Sequence, residues 1–262
     1  MRIFLAGAAG AIGRRLVPLL LRAGHQVTGT TRSAGKAKEL AQAGVVPAVL
    51  DIFDADGVSG AVLAARPDVV IHQLTDLPRE FDQARISASY PNNARIRSEG
   101  TRNLIAAAQA AGARRFIVQS IAFAYAPGGE PHVETDPLNL ADPVRAITVR
   151  GAADMEQQGL TASGLDAIVL RYGLLYGPGT WYETPSHRPA LHVDAAAHAA
   201  LRAVARGKSG VYNIADDDGA HAALRAVARG KSGVYNIADD DGAVSIAKAR
   251  AELGFDPGFR AA

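Results

Sequence analysis

The chain has 262 residues, with 28 lysines and arginines against 26 aspartates and glutamates, and no cysteine. These charges are interspersed, so the net charge of +2 marks no nucleic-acid surface, and the lack of cysteine excludes disulfides, thiolate nucleophiles and cysteine-held clusters. No run approaches the roughly 18 apolar residues of a membrane span, so the sequence predicts no membrane segment and a cytoplasmic location.

The first predicted strand, residues 2–6, runs directly into Gly7-Ala8-Ala9-Gly10-Ala11-Ile12-Gly13. A helix over 11–23 follows, with the apolar stripe Ile12, Leu16, Leu19 and Leu20. This order aims the unbonded amides of a helix start at one point, where the helix dipole also favours an anion. Gly7 permits the tight turn, Gly10 lets a phosphate approach the backbone, and Gly13 lets helix and sheet pack closely; Ala9, Ala11 and Ile12 complete the loop. A dinucleotide pyrophosphate site is the expectation.

The second strand, 26–31, ends at Thr31-Arg32, where an acid would grip the ribose hydroxyls of NAD. A hydroxyl and a guanidinium, with Lys36 near, suit a 2′-phosphate instead, so NADP is expected over NAD; a solvated arginine after a strand is the plain alternative. Asp51, followed by Ile52, closes a strand at 46–50 and is expected to accept from the adenine amino group, against the alternative of a turn or cap residue. Leu74 and Thr75, after a strand at 68–73, are expected beneath the cofactor, and His72 is expected to be a packed strand residue. Further helices are predicted at 35–43, 57–65, 93–112 and 146–163, and strands at 115–119 and 166–171. The alternation predicts an α/β fold, a doubly wound parallel sheet of Rossmann-like type, and the length allows one large domain or such a domain with a small lobe.

Ala197 to Gly219 is repeated without one difference by Ala220 to Gly242. Structural repeats require only matching apolar and turn positions, so identity at surface positions points to recent duplication or construction. Each copy predicts a helix and a strand, in the first copy Ala199 to Arg206 and Val211 to Ala215, with Asp194 capping the first helix. Both strands entering the sheet, or one copy standing as an appendage, remain alternatives. An unpaired Gly-Val-Tyr-Asn-Ile edge would invite a homodimer or aggregation. His187 and His192 lack ligand-spaced partners, so no metal is expected.

The glycine turn, Gly100-Thr101-Arg102-Asn103-Leu104, the run Arg115 to Ser120 leading to Tyr125, and Leu170 to Gly179 with its Tyr-Gly-Pro-Gly turn together resemble the extended short-chain dehydrogenase/reductase superfamily, in its epimerase/dehydratase branch. The resemblance covers about residues 1–183. It implies a dinucleotide-binding domain over 1–180 and a reduced substrate lobe over 181–262. It also implies a serine or threonine, a tyrosine and a lysine four residues later, the lysine lowering the phenol's pKa for proton transfer during hydride transfer. Aligned through Glu156, Thr148 takes the tyrosine slot and Ala152 the lysine slot, and neither can do that work. Ser120 and Tyr125 remain as the polar partners expected at the reacting oxygen. The function implied is an NAD(P)-dependent oxidoreductase or epimerase acting on a small carbonyl or alcohol, a nucleotide sugar among the candidates. The alternatives are a non-catalytic NADP(H) sensor, as in NmrA-like members, and a rearranged inactive chain.

Overall fold

The computed structural model describes residues 1–216 and 243–261. The first half alternates β1 (Arg2–Ala6), α1 (Ala11–Arg22), β2 (Gln26–Thr31), α2 (Ala34–Gln42), β3 (Val46–Val49), α3 (Ala55–Ala65) and β4 (Val69–His72). Next come α4 (Gln83–Arg95), a π-helical turn (Ile96–Gly100), α5 (Thr101–Ala110), β5 (Arg115–Ile121), α6 (Ala146–Thr161) and β6 (Asp166–Tyr172). The chain then forms β7 (Leu174–Tyr176), β8 (Ala190–His192), α7 (Val193–Ala205) and β9 (Gly210–Ile214), and after the second repeat copy a π-helical turn at Ala249–Leu253.

Seven strands form one parallel sheet in the order β3-β2-β1-β4-β5-β6-β9, while β7 and β8 pair separately. Because successive strand side chains face opposite ways, β1 serves two cores. Ile3 and Leu5 pack with Leu16 and Leu20 of α1 and with the alanine-rich face of α7. Phe4 and Ala6 pack with Val58 and Val62 of α3 and Leu104 of α5. The order reverses between β1 and β4, which opens a crevice at the carboxyl ends of those strands.

Three expectations change. The helix expected at 93–112 is α5 joined through the π-helical turn to α4, an element the sequence reading left unassigned. Asp194 does not cap α7: the His192 ring nitrogen accepts from the Asp194 amide, and the Asp194 carboxylate instead holds Arg15 of α1 at 2.6 Å. Helix α7 and strand β9 lie beyond residue 180 yet belong to the main layers, so the first repeat copy supplies the strand next to β6 in the sheet. The second copy lies outside the described residues. Among the described residues no helix is long and apolar enough to cross a membrane, and no cluster of three or more histidine or acidic residues is placed to hold a metal.

Candidate active site

The turn after β1 is built as its glycines require. Gly7 has φ +96°, and a Cβ there would stand 2.7 Å from the Gln73 carbonyl oxygen. A Cβ on Gly13 would overlap the Gly7 carbonyl oxygen and come within 2.6 Å of that of Ala8. The Gly7 amide donates to Thr30 Oγ1 and the Gly10 amide to the Gly7 carbonyl, which fixes the turn from within. Gly10 then starts α1 with no side-chain cap and no acid in the first turn. The amides of Ala11, Ile12 and Gly13 are thus left for an anion, as a pyrophosphate site requires. Ala9 is half-buried beside them. This backbone cradle, closed to any side chain larger than hydrogen at Gly7 and Gly13, fits a dinucleotide.

The adenosine side lies along β2 and β3. Thr31 is buried and its hydroxyl accepts from the Ser33 amide. Arg32 is largely exposed and reaches Asp76, beyond β4, at 2.7 Å. Asp76 also accepts from Asn92 Nδ2 at 2.6 Å, and its amide donates to Asn93. Arg32 and Asn92 together hold the Asp76 carboxyl below its ordinary range against the opposing effect of burial. Because β2 and β4 flank β1 in the sheet, this ion pair runs across the mouth of the crevice. Asp51 accepts from the Phe53 amide at 3.0 Å, forming the local turn weighed as its alternative. Ile52 is buried, and a Cβ on Gly100 would meet it at 2.9 Å. The Leu74 amide donates to His72 Nδ1, and Thr75 is exposed at the rim. All these cofactor candidates follow the carboxyl ends of β1, β2, β3 and β4, which the parallel sheet sets side by side.

Ser120 and Tyr125 sit in a closed polar network. The Ser120 hydroxyl, fully buried, donates to Glu156 Oε1 at 2.5 Å. Glu156 forms a two-pronged bond with Arg171, 3.0 Å from Nε and 2.7 Å from Nη2. Arg171 Nη1 donates to the Tyr125 phenol at 2.8 Å, and that phenol donates to Asn213 Oδ1 at 2.7 Å. Burial pushes the Tyr125 phenol up, so it stays protonated. The network ties β5, α6, β6 and β9 together, and Asn213 comes from the first repeat copy.

A second buried polar group lies between β4 and α6. Arg97, on the π-helical turn, is 9% exposed, and its Nη1 donates to the Thr148 carbonyl at 2.9 Å. Burial pulls its pKa down to about 10, against the field of Glu156, so it remains a cation at neutral pH. His72 is buried, and burial, with the Arg97 charge adding to it, lowers its pKa to about 4. Buried polar atoms without a partner among the described residues are His72 Nε2, Gln73 Oε1, Thr101 Oγ1, Thr148 Oγ1 and, elsewhere, His198 Nδ1. The sequence reading missed Arg97. Its signal was there: Asn93, Arg97 and Thr101 continue, at helical spacing, the buried stripe of Leu104 and Ala108.

A family model described as NAD(P)H-binding matches residues 7–186. The chain is 41% identical over 240 residues to a 3-diazoavenalumate denitrifying reductase of a Streptomyces species, covering 83% of this chain and 77% of that protein. It is 34% identical over 187 residues to a UDP-glucose 4-epimerase of Mycolicibacterium smegmatis, covering 68% of this chain but 57% of that relative. In fold it resembles the UDP-glucose 4-epimerase of Thermotoga maritima, solved with UDP-glucose, at a TM-score of 0.75 with 20% identity, covering 99% of this chain and 94% of that one. The chain thus belongs to the NAD(P)H-binding family, among its reductase- and epimerase-type enzymes.

Proposed function

We propose that the protein is an NADP(H)-dependent reductase whose hydride transfer needs no protonating phenol. The observation that carries this reading is a fully buried methyl group, Ala152, on α6 where the alignment through Glu156 sets the lysine slot, with Thr148 in the tyrosine slot. Ser120 and Tyr125, expected at the reacting oxygen, are bonded to Glu156, Arg171 and Asn213, and we assign them to shaping the floor of the pocket. Such a site suits an electrophile whose charge is settled by a leaving group rather than by a proton. The reductase of the Streptomyces relative, named for a diazo substrate and the loss of its nitrogen, supports that class. NADPH, which the Gly7–Gly13 turn with Thr31 and Arg32 would hold, would supply the hydride and leave as NADP⁺. At a diazonium carbon a C–H bond forms, and the C–N bond breaks with its electron pair leaving in N₂, so no proton is consumed. NADP over NAD rests on Thr31 and Arg32 at the end of β2, with no acid in their place. Substrate contacts are assigned to the chain beyond residue 180, and a second copy of the chain is the expected partner.

The test follows NADPH absorbance with an aryl diazonium substrate and with a carbonyl panel, and measures released N₂. Oxidation of one NADPH per N₂ is expected, and Tyr125→Phe is expected to retain it. Turnover of carbonyls alone, with loss in Tyr125→Phe, overturns the reading. Tight NADPH binding without any turnover favours a sensor instead, the alternative that the missing tyrosine and lysine support.

A further inference from the structure

A buried guanidinium is costly to keep, because desolvation must be matched by partners with good geometry. Arg97 has one neutral acceptor, the Thr148 carbonyl, and no carboxylate within ion-pair distance among the described residues. Its Nε and Nη2 have no hydrogen-bond partner among those residues. It is carried on a π-helical turn, an irregularity frequent at functional sites.

Three independent features fix its place. In an α-helix the carbonyl of residue 148 points at the amide of residue 152, so a donor on the Thr148 carbonyl stands beside Ala152. The unpartnered buried hydroxyls are those of Thr148, whose carbonyl Arg97 holds, and of Thr101, one helical turn after Arg97, and the Arg97 charge is felt at the buried His72. Finally, β4 and α6, which bracket it, belong to the half of the sheet opposite the Thr31 and Arg32 end. In a crevice that takes a dinucleotide across the β1/β4 reversal, that is the nicotinamide half.

We propose that Arg97 is the active-site cation, reaching from the neighbouring helix into the place that Ala152 leaves without charge and holding the oxygen-rich nicotinamide-ribose end of the cofactor. The inference rests on the NADP(H) reading and extends it. A guanidinium holds its proton throughout, so Arg97 can position and attract but cannot relay protons, which agrees with a reaction that uses none.

The experiment compares calorimetric affinities for NADPH and for adenosine 2′,5′-bisphosphate, which lacks the nicotinamide half. Arg97→Gln is expected to weaken NADPH by about tenfold or more, the scale of a lost charged hydrogen bond, and to leave the bisphosphate unchanged. Adding Ala152→Lys to that variant is expected to restore NADPH binding, which repair of packing alone would not do. Equal weakening of both ligands, unaltered NADPH affinity, or no recovery in the double variant overturns the proposal. If Arg97→Gln does not fold, Arg97→Lys carries the same comparison, with weaker NADPH and unchanged bisphosphate expected. A wild-type chain that binds the bisphosphate and not NADPH also overturns it, whereas one that binds neither defeats the cofactor reading beneath it.

Discussion

Arg32 illustrates how a residue can be legible in type and illegible in partner. Its position after β2 was readable from spacing, but Asp76 lies 44 residues away and reaches it only because the sheet places β2 and β4 on either side of β1. The pair is exposed and adds little stability, so its effect falls on ligand choice: Asp76 competes with an incoming phosphate for the same guanidinium. Asp76→Asn is expected to raise NADP affinity several-fold and leave NAD nearly unchanged, while Arg32→Asp weakens NADP by at least about tenfold more than NAD. Parallel titrations with the two cofactors check both, and equal shifts for NAD and NADP would remove the phosphate assignment. His72 carries a pH signature. Burial holds its folded pKa near 4, whereas the unfolded chain takes up the proton near 6.5. The unfolded state therefore binds more protons between these values, and stability falls as pH drops through that window, by on the order of 3 kcal/mol in all. His72→Asn, whose side-chain oxygen can still accept from the Leu74 amide, is expected to flatten that part of the curve in urea unfolding near pH 7 and about pH 4.5. An unchanged slope would show that other groups set it.

At the scale of elements, periodicity served well wherever one face was apolar. Helix α1 was readable because Ile12, Leu16 and Leu20 repeat at its period, and strands such as β4 because they are short, continuously apolar Val-Ile runs. Helix α4 was not, since only Ile86 and Asn93 are buried in it, Pro91 interrupts its hydrogen bonding, and its cap is the lone Asp82. The capping of α7 was misread for a related reason: Asp194 is the commoner capping type, but its carboxylate is drawn to Arg15 and His192 takes the role. The missing phenol and lysine of α6 were visible in the sequence; the burial of Arg97 was legible from its helical spacing to Asn93 and Thr101, but its bond to the Thr148 carbonyl, 51 residues away, was not. The junction of β1 and α1 leaves room for hydrogen alone at Gly13. Gly13→Ala is expected to destabilise the fold by about 2 kcal/mol or more and to weaken NADPH at least tenfold, as read by thermal unfolding and calorimetry. A variant with native affinity would show that the turn does not bind the pyrophosphate.

For the molecule as a whole, the repeat raises a question of closure. The first copy supplies β9, with Tyr212 and Ile214 fully buried in the sheet and Asn213 bonded to Tyr125. Asn213 Nδ2 reaches the His132 carbonyl at 3.4 Å, and the His132 amide bonds the Ala243 carbonyl at 3.1 Å. The chain on either side of the second copy thus converges on His132. Deleting 220–242 leaves Asp217, Asp218 and Gly219, a span of about 10 Å, to join them. The shortened protein is expected to keep its NADPH affinity and to be as stable as the parent or more so, by up to about 2 kcal/mol from the shorter connection. Loss of the cooperative unfolding transition would show that the fold depends on the second copy.

His132 therefore marks a seam. Because the two halves of the repeat are letter-for-letter interchangeable, any single recombination between them, wherever it falls, yields one and the same shorter polypeptide. A gene of this kind stands one crossover from a compact ancestor-like product, and the meeting of both flanks at one histidine means that such a product would inherit a backbone already able to close.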